Sequence, residues 1–463
     1  MKKLKYDVSL RAVKLLAVIL IAAPFAACWY GCYAGRIAAP FYCRGNLLIV
    51  LLFLALYLVF AHIYDALQIS LYHTSEIIYS QLLALALSDG IMFVVLCLLS
   101  KGLPRLLPAA AALCIQVILA CLWAVFAKKW YISAFPPERT AVIYGDWTGL
   151  ERLVRKYGMD RRFLIQVTMS VSECLRDIRL LDNVDAVFLS GIHSHDRNII
   201  LKYCVARDIS TYVIPRIGDT LMSGARRMHL FHLPMLRVER YHPAPLYAAV
   251  KRLLDIVISL VTVTLLSPLM AITAIAIKAS DGGPALYKQV RLTKDGKRFY
   301  VLKFRSMRVD AERDGVARVS TGDRDSRITP VGRIIRKFRV DELPQFFCIL
   351  SGAMSLVGPR PERPEIASRY ELEMPEFALR LQVKAGLTGY AQVYGKYNST
   401  PYDKLQMDLM YIAHPSILED FRILFATLKI LFLPESTEGV PQERMTPSSG
   451  SLKAAAGEDM EES

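Results

Sequence analysis

The sequence predicts a membrane protein that combines an α-helical bundle with α/β structure. Three observations predict this class. The chain is unusually apolar, with 54% hydrophobic residues and a mean hydropathy of +0.31, as expected of membrane segments. Long apolar runs occupy its first quarter, and strands that alternate with helices follow them. The remaining half has the pattern of a mostly helical domain that opens with a further apolar helix.

Charge and cysteine usage narrow the partners of the chain. The formal net charge of +15 indicates anionic partners such as phospholipid head groups or nucleotides. Nucleic acid is not an expected partner, because the cations lie beside apolar segments and the spacings of helix-turn-helix or zinc-finger modules are missing. The nine cysteines form no C-x-x-C pair, and several lie in apolar runs, so we expect free thiols.

A transmembrane domain is predicted over residues 1–130, with apolar runs at about 12–34, 46–66, 82–99 and 106–126. Each run is about long enough to cross roughly 30 Å of hydrocarbon. Asp89 and Gly90 interrupt the third run. Four crossings place both ends of the domain on one side of the membrane. Lysines and arginines before the first run and after the fourth place that side in the cytoplasm.

A Rossmann-like α/β domain is predicted over residues 138–240. Buried strands are expected at 140–146, 163–169, 185–190 and 210–215, with a helix at 150–158 between the first two. The stretch from Gly145 to Gly149 is not the G-x-G-x-x-G fingerprint of dinucleotide-binding domains. We therefore expect a packing or regulatory domain without a cofactor.

The third predicted domain covers residues 250–433 and begins with an apolar run at 252–279. Ser267 and Pro268 lie near the middle of this run, where a proline removes a helical hydrogen bond and bends the helix. A spanning helix would carry the rest of the chain across the membrane, whereas a re-entrant helix would break at Ser267-Pro268 and return to the same side. Basic residues flank both ends of the run, which favours re-entry.

The soluble part of this domain is predicted from turn and periodicity signals. Asp295-Gly296 is the expected turn of a β-hairpin. Asp255, near the membrane surface, is expected to pair with Lys251 or Arg252. The other predicted segments are helices at 363–382 and 404–412, a strand at 390–393 and a disordered tail at 434–463.

Two adjacent carboxylates, Asp341 and Glu342, are the first candidate functional residues. Five cations precede them: Arg327, Arg333, Arg336, Lys337 and Arg339. Nearby cations lower the pKa of a carboxylate, so the pair is predicted to be anionic at neutral pH. An anionic Asp among fixed cations can hold a divalent metal or attack a phosphoryl group. Pro344 should restrict Leu343 to extended conformations, which places the pair at a helix junction.

A second candidate is Arg360, which lies in a stiff Gly-Pro-Arg-Pro turn at residues 358–361. A guanidinium held in this way suits a bidentate grip on phosphate. Seen alone, an Asp-Glu pair after a basic helix is more often the end of a surface helix. Its combination with the basic run and the Pro-Arg-Pro turn, downstream of a membrane segment, favours a phosphate-handling site.

Five motifs together resemble the bacterial sugar transferase family, the monotopic polyprenyl-phosphate phosphoglycosyl transferases. They are Lys251-Arg252 with Asp255, Lys303-Phe304-Arg305-Ser306-Met307, Asp341-Glu342-Leu343-Pro344-Gln345, Met354-Ser355-Leu356-Val357-Gly358-Pro359-Arg360-Pro361-Glu362 and Gly386-Leu387-Thr388-Gly389. The resemblance covers about residues 250–432. The N-terminal half is similar to the long form of the family, which carries four membrane helices and a Rossmann-like domain before the catalytic domain.

The resemblance implies a reaction and roles for residues. A hexose-1-phosphate moves from a UDP-sugar, with glucose or galactose as candidate sugars, to a polyprenyl phosphate such as undecaprenyl phosphate, and UMP is released. Asp341 is the implied nucleophile and forms a covalent phosphosugar intermediate. Mg²⁺ is the implied cofactor, held near Asp341, and Glu342 assists the metal or orients Asp341. The implied phosphate contacts are Lys303, Arg305, Asp310 and Arg360.

The resemblance also implies a place in the cell. The catalytic domain would lie on the cytoplasmic face of the bacterial inner membrane, anchored by a re-entrant helix that breaks at Ser267-Pro268. The reaction would start exopolysaccharide, capsule or O-antigen synthesis. The lipid bilayer is an expected partner, and the four-helix domain is a candidate homodimer surface.

Two other functions compete with the transferase. A non-catalytic scaffold of a glycan assembly complex would use the basic surface to bind lipid, but the intact Asp341-Glu342 pair argues against it. A polytopic transporter is disfavoured, because the predicted spans carry no cluster of charges. Three residues depart from the family pattern: Cys348 stands for Asn, Ala353 for an acidic residue and Ala385 for Pro.

Overall fold

The computed structural model describes residues 2–41, 43–145, 154, 159–308, 327–395 and 400–431. Contacts divide the chain into two units, Met1–Arg216 and Ile217–Ser463. The predicted helix at 150–158, apart from Val154, and the predicted tail at 434–463 lie outside the described residues, as does Asp310.

Four long apolar helices open the first unit, as predicted. They are α1 (Lys2–Cys28, continued by a π-helix at Trp29–Tyr33), α2 (Cys43–Ile63), α3 (Thr74–Leu99) and α4 (Leu106–Ala134). All four are long and apolar enough to cross a membrane. Asp89 and Gly90 do not interrupt α3, because its helical backbone continues through both residues.

Small side chains and polar bridges hold these helices together. Ala17 on α1 is fully buried, as is Ala124 on α4, and small residues of this kind let helix backbones approach closely in a membrane. Buried amides supply specific contacts. The Gln116 amide donates to the Ile21 carbonyl at 3.0 Å, which ties α4 to α1.

A parallel sheet follows the bundle and confirms the Rossmann-like prediction. Its strands are β1 (Glu138–Tyr144), β2 (Phe163–Ser170), β3 (Ala186–Ser190) and β4 (Ser210–Val213), in the order β2-β1-β3-β4. Helices α5 (Val171–Arg176) and α6 (Ser194–Ala206) alternate with them. The strands are rich in Val, Ile and Phe, and β1 and β3 are almost wholly buried, as is typical of a parallel sheet covered on both faces.

The second unit begins with α7 (Ile217–Ser223) and an antiparallel hairpin of β5 (Arg226–Leu230) and β6 (Leu233–Arg237). The long apolar helix α8 (Pro245–Asp281) follows and ends at Gly282, whose φ is 70°. The backbone is helical through Ser267 and Pro268. The prediction of a break between two helices is therefore wrong, because Pro268 lies inside one continuous helix. Pro268 lacks one amide hydrogen, so the effect on the helix is confined to one hydrogen bond. Beside it, the Ser267 hydroxyl donates to the Thr264 carbonyl at 2.8 Å.

Both flanks of α8 contact the same soluble domain. Near its start, the Asp255 carboxylate accepts hydrogen bonds from the Ser355 hydroxyl at 3.1 Å and the Leu356 amide at 2.9 Å. Near its end, Ile277 packs with Phe304 and Ile335. Side chains between these flanks are exposed, including Leu265, Ile272 and Ile275. These exposed apolar side chains in the middle of a long helix are the part expected to lie in lipid.

The soluble domain surrounds one core of strands and short helices. Its elements are β7 (Leu286–Leu292), β8 (Arg298–Phe304), α9 (Pro330–Lys337), α10 (Gln345–Leu350), β9 (Ser355–Val357), α11 (Pro364–Glu373), β10 (Gly386–Thr388), α12 (Tyr390–Val393), α13 (Pro401–Ala413) and α14 (Ile417–Leu431), with 3₁₀ turns at Val340–Glu342 and Pro375–Gln382. One buried cluster joins Val301 of β8, Ile349 of α10 and Leu356 of β9.

Most predicted segments of this domain are confirmed. The hairpin forms with its turn at Asp295 and Gly296, which have φ values of 60° and 70°. The predicted helices correspond to α11 with the following 3₁₀ turn, and to α13. The predicted strand at 390–393 is wrong, because α12 occupies it. Its amides bond locally, and the Val393 amide donates to the Gly389 carbonyl at 3.0 Å.

Candidate active site

Lys303 is brought to the site by the β7–β8 hairpin. Antiparallel pairing from Leu286–Phe304 to Leu292–Arg298 fixes the register, which places Lys303 opposite Tyr287. The Lys303 side chain is 23% exposed, and its Nζ lies 3.3 Å from Oε1 of Glu342. Burial lowers the pKa of Lys303, and the charge of Glu342 opposes this effect.

The two carboxylates lie in a tight turn after α9. The Thr329 hydroxyl caps the start of α9 by accepting from the Gly332 amide at 2.9 Å. After α9 ends, Arg339 takes a left-handed φ of 52°, and the 3₁₀ turn at Val340–Glu342 follows. Leu343 is helical, with φ −54° and ψ −37°, so its predicted extended conformation is wrong. The bond from its amide to the Val340 carbonyl, 3.2 Å long, outweighs the preference imposed by Pro344.

Glu342 is neutralised by three cations. Its side chain is 15% exposed, and Lys303 Nζ (3.3 Å), Arg360 Nη2 (3.2 Å) and Arg339 Nη1 (3.8 Å) surround it. Burial alone would raise the pKa of Glu342, but the charges of Lys303, Arg360 and Arg339 outweigh burial and hold the pKa well below its usual range. Glu342 is therefore an anion at any physiological pH, and it orders the cations that face the site.

Asp341 has the opposite shift. Burial and the adjacent charge of Glu342 raise its pKa to about 6, against the weaker influence of Lys303 and Arg336. The prediction that cations lower the pKa of both carboxylates is thus wrong for Asp341. The physical reason is that, among the described residues, the ion pairs at this dyad are made by Glu342. Asp341 is left as a half-buried carboxylate that is still mostly ionised at pH 7.

Arg360 is held from behind by two other arginines. Its carbonyl accepts from Arg380 Nη2 at 2.9 Å, and the next carbonyl, that of Pro361, accepts from Arg291 Nη1 at 3.1 Å. Arg380 in turn pairs with Asp408 at 2.7 Å, and both side chains are buried. Burial raises the pKa of Asp408 to about 6, and the charge of Arg380 opposes this effect. These supporting residues could not be predicted from the sequence, because nothing in their neighbourhoods along the chain marks them as buried.

Two glycines explain the packing of the Gly-Pro-Arg-Pro turn. The Gly358 amide donates to the Thr388 carbonyl, and the Gly386 amide donates to the Pro359 carbonyl, both at 2.9 Å. A Cβ on Gly358 would overlap the Lys384 carbonyl, and one on Gly386 would overlap the Gly358 backbone. The turn that carries Arg360 therefore depends on direct contact between two backbones.

The remaining candidates lie elsewhere. The Arg305 side chain is buried, and its guanidinium occupies the space beside Gly283 at the end of α8. Asp255 does not form the predicted pair with Lys251 or Arg252. Lys251 pairs with Asp420 at 2.8 Å, and Arg252 donates to the carbonyls at the end of α10. These contacts fasten the start of α8 to the soluble domain.

The carboxylates suit a sparse magnesium site. No group of three or more His, Cys, Asp or Glu side chains that could enclose a metal occurs among the described residues. Mg²⁺ bound with substrate phosphates needs only one or two protein carboxylates. Asp341 can supply one, whereas Glu342 is already occupied by cations. The site can therefore place one ionised, half-buried oxygen nucleophile or ligand beside a group of fixed cations.

Comparison with known proteins identifies relatives of the chain. The profile of the bacterial sugar transferase family matches residues 246–434. The chain is 38% identical over 234 residues to the UDP-N-acetylgalactosamine-undecaprenyl-phosphate N-acetylgalactosaminephosphotransferase of Aeromonas hydrophila, covering 50% of this chain and 54% of that protein. It is 36% identical over 303 residues to the UDP-glucose:undecaprenyl-phosphate glucose-1-phosphate transferase of Escherichia coli, covering 64% of this chain and 61% of that protein.

A shorter relative is covered more fully. The UDP-glucose:undecaprenyl-phosphate glucose-1-phosphate transferase of Caulobacter vibrioides is 38% identical over 191 residues, which are 40% of this chain and 71% of that protein. The matched regions span between half and two thirds of the first two relatives. The apolar helices and the cation-lined carboxylate pair are features of a membrane protein with an anion-binding site. The chain belongs to the bacterial sugar transferase family, in its long form with N-terminal membrane helices.

Proposed function

We propose that this protein transfers a hexose-1-phosphate from a UDP-sugar to undecaprenyl phosphate and releases UMP. One observation carries the proposal: the half-buried Asp341 directly precedes Glu342, whose carboxylate lies within 4 Å of Lys303, Arg360 and Arg339. Burial and the charge of Glu342 raise the pKa of Asp341 only to about 6, so Asp341 is mostly ionised at pH 7 and offers an oxygen nucleophile beside cations that can bind phosphate. The names of the relatives, which are glucose and N-acetylgalactosamine transferases, support the two substrates.

The proposed reaction has two displacements. A carboxylate oxygen of Asp341 attacks the phosphorus that bears the sugar, and the bond from that phosphorus to UMP breaks, so that UMP leaves with the electron pair. An oxygen of the lipid phosphate then attacks the same phosphorus, and the bond to Asp341 breaks and restores the carboxylate. Lys303 and Arg360 stabilise the charge that develops on the phosphoryl oxygens. Mg²⁺, when bound through Asp341, would offset the charge of the diphosphate.

We further propose that α8 re-enters the membrane and leaves on the side from which it came. The stretch from Asp255 to Ile277 would span about 33 Å as a straight helix, which is close to the thickness of the hydrocarbon core. A spanning helix would separate its two ends by a bilayer. The contacts of Asp255 with β9 and of Ile277 with β8 and α9 instead join both ends to one domain, which supports a bend in the bilayer and a cytoplasmic active site.

The proposal is tested with the full chain in membranes. Labelled UDP-glucose, UDP-galactose and UDP-N-acetylgalactosamine are each supplied with undecaprenyl phosphate and Mg²⁺. We expect one donor to give lipid-linked label and UMP, and donor alone to add the mass of a sugar phosphate at Asp341. Asp341→Asn should abolish both signals, whereas Glu373→Gln, on the exposed end of α11, should not. Full turnover by Asp341→Asn would reject the nucleophile, and glycan output without any turnover would favour a scaffold.

A further inference from the structure

Helix α9, which immediately precedes the carboxylates, has an exposed face of unusual composition. Its buried face packs into the domain: Ile335 is 6% exposed and lies in a cluster with Ile277 and Phe304. On the opposite side, Ile334 and Phe338 are 62% and 66% exposed. Phe338 directly follows the last residue of α9, and its amide donates to the Ile334 carbonyl at 3.3 Å, so the two side chains are neighbours on one side of the last turn. Large apolar side chains on the outside of a helix whose inside is already packed need a partner.

The charges beside these apolar side chains indicate which partner. Arg333 and Lys337, also four residues apart, are exposed on the same side of α9 as Ile334 and Phe338. The outer face therefore alternates two cations with two large apolar groups. Basic residues next to apolar ones are typical of helices that lie in the head-group region of anionic lipid. A protein surface, such as that of a second copy of this chain, is the alternative occupant.

The contact between α9 and the apolar helix α8 favours lipid as the partner of the outer face of α9. The inner face of α9 contacts the last turns of α8, through Ile335 and Ile277. Those turns carry exposed apolar side chains, among them Ile272 and Ile275, at 64% and 69%. Helix α9 thus lies where the apolar surface of α8 meets the soluble domain.

We propose that the outer face of α9, formed by Arg333, Ile334, Lys337 and Phe338, inserts into the head-group region of an anionic bilayer and fixes the height of Asp341 above it. The coupling is direct. Val340 and Leu343, which flank the dyad, pack in the same cluster as Ile335 and Ile277. The turn that bears Asp341 therefore moves with α9 and with the end of α8. The expected effect on the reaction with the lipid acceptor rests on the proposed function, whereas the insertion of this face does not.

Insertion is measured without any turnover. A fluorescent amino acid replaces Phe338 in one full-length protein and Leu372 in another, and each is reconstituted into vesicles of phosphatidylglycerol and phosphatidylcholine that carry shallow nitroxide lipids. Leu372 is a matched control, because it is 87% exposed but lies between Glu371 and Glu373. We expect strong quenching at position 338 and weak quenching at 372. Equal quenching at both positions would overturn the proposal.

Variants then link insertion to the acceptor. Ile334→Ser with Phe338→Ser should raise the KM for vesicle-bound undecaprenyl phosphate by about tenfold, because part of the transfer free energy of two apolar side chains is lost. Formation of the sugar-phosphate adduct from donor alone should change less than twofold. Phosphatidylglycerol should strengthen the binding of the outer face of α9 to the vesicle surface. Arg333→Gln with Lys337→Gln should weaken this effect by roughly fivefold for each charge. Leu372→Ser should alter neither quantity.

The outcomes separate the two proposals. Quenching at 338 in a protein that lacks transferase activity would support lipid insertion and count against the proposed function alone. Shielding of position 338 that depends on protein concentration, and not on nitroxide lipid, would show a second copy on this face and reject insertion. A tenfold loss in adduct formation in the Ile334→Ser, Phe338→Ser protein would show a folding defect of the turn and also reject the proposed role.

Discussion

Two neighbouring carboxylates behave differently because their side chains meet different partners. The sequence places five cations before Asp341 and Glu342 and correctly indicates a charged site, but it does not show which carboxylate the cations reach. In the structure Arg339 and the more distant Lys303 and Arg360 all contact Glu342. Two of these partners come from other segments of the chain, so only the folded structure assigns the low pKa to Glu342.

The raised pKa of Asp341 predicts an acid limb in the pH profile. The anion is populated above its pKa of about 6 and is lost as the pH falls through that value. We expect kcat/KM to fall by about tenfold between pH 7 and pH 5, since this parameter reports groups of the free enzyme. Glu342→Gln removes the like charge, so the limb should shift to lower pH even if the rate also drops. A limb that stays in place in Glu342→Gln would contradict the assignment to Asp341.

Two of the three residues that depart from the family pattern contact one and the same residue. The Thr293 hydroxyl donates to the Ala353 carbonyl at 2.9 Å and accepts from the Ala385 amide at 3.2 Å. A proline at 385 has no amide hydrogen to give. The two alanines that stand out in the sequence are thus joined through buried Thr293, a link that no pattern along the chain reveals.

At the scale of elements, the sequence predicted secondary structure correctly where that structure depends on residues close together in the chain. The Asp295-Gly296 turn and the helical periodicity of α13 were predicted correctly, because both depend on neighbouring residues. The strand predicted at 390–393 failed, since Gly389 starts a short helix there. The support of the Pro-Arg-Pro turn was missed, because it comes from arginines far away in sequence.

The turn that carries Arg360 should depend on the fork of Arg380. Arg380→Lys keeps a charge next to Asp408 but loses the planar fork that also reaches the Arg360 carbonyl. We expect kcat/KM to fall by about ten- to a hundredfold through misplacement of Arg360, with a raised KM for the UDP-sugar.

The matched control for this variant is Arg207→Lys, which alters an exposed pair with Asp182 in the first unit. It should leave activity unchanged. Thermal unfolding of both variants is followed in parallel. Equal losses of activity in the two variants, or a loss that a lower Tm of Arg380→Lys accounts for fully, would count against a positioning role.

For the molecule as a whole, the sequence predicted the membrane bundle, the parallel sheet and the soluble domain, because each has its own hydrophobic period. The path of α8 was harder to predict from the sequence. Its proline indicated a break, yet the helix is continuous, because loss of one amide hydrogen does not end a helix whose other bonds remain. The contacts of both flanks with one domain now carry the argument for re-entry.

Re-entry predicts the same accessibility for both ends of α8. Epitope tags inserted at His242 and after Gly296, on either side of the helix, should both be detected in inverted membrane vesicles and both be hidden in intact cells. A tag in the loop between α1 and α2, at residues 36–41, should show the reverse pattern. Opposite results for the two tags that flank α8 would establish a spanning helix.

The neutralised Glu342 has a consequence for how the site exchanges its contents. Four cations, Lys303, Arg336, Arg339 and Arg360, act on two carboxylates, which leaves a surplus of about two positive charges, equal and opposite to the diphosphate of a nucleotide sugar. After capture, Asp341 no longer carries a charge, but the sugar phosphate bound to it keeps the one negative charge that it had in the diphosphate, so the net charge of the site is unchanged. The lipid phosphate would then meet the same net positive charge that the UDP-sugar met, and neither displacement would require the site to regain charge.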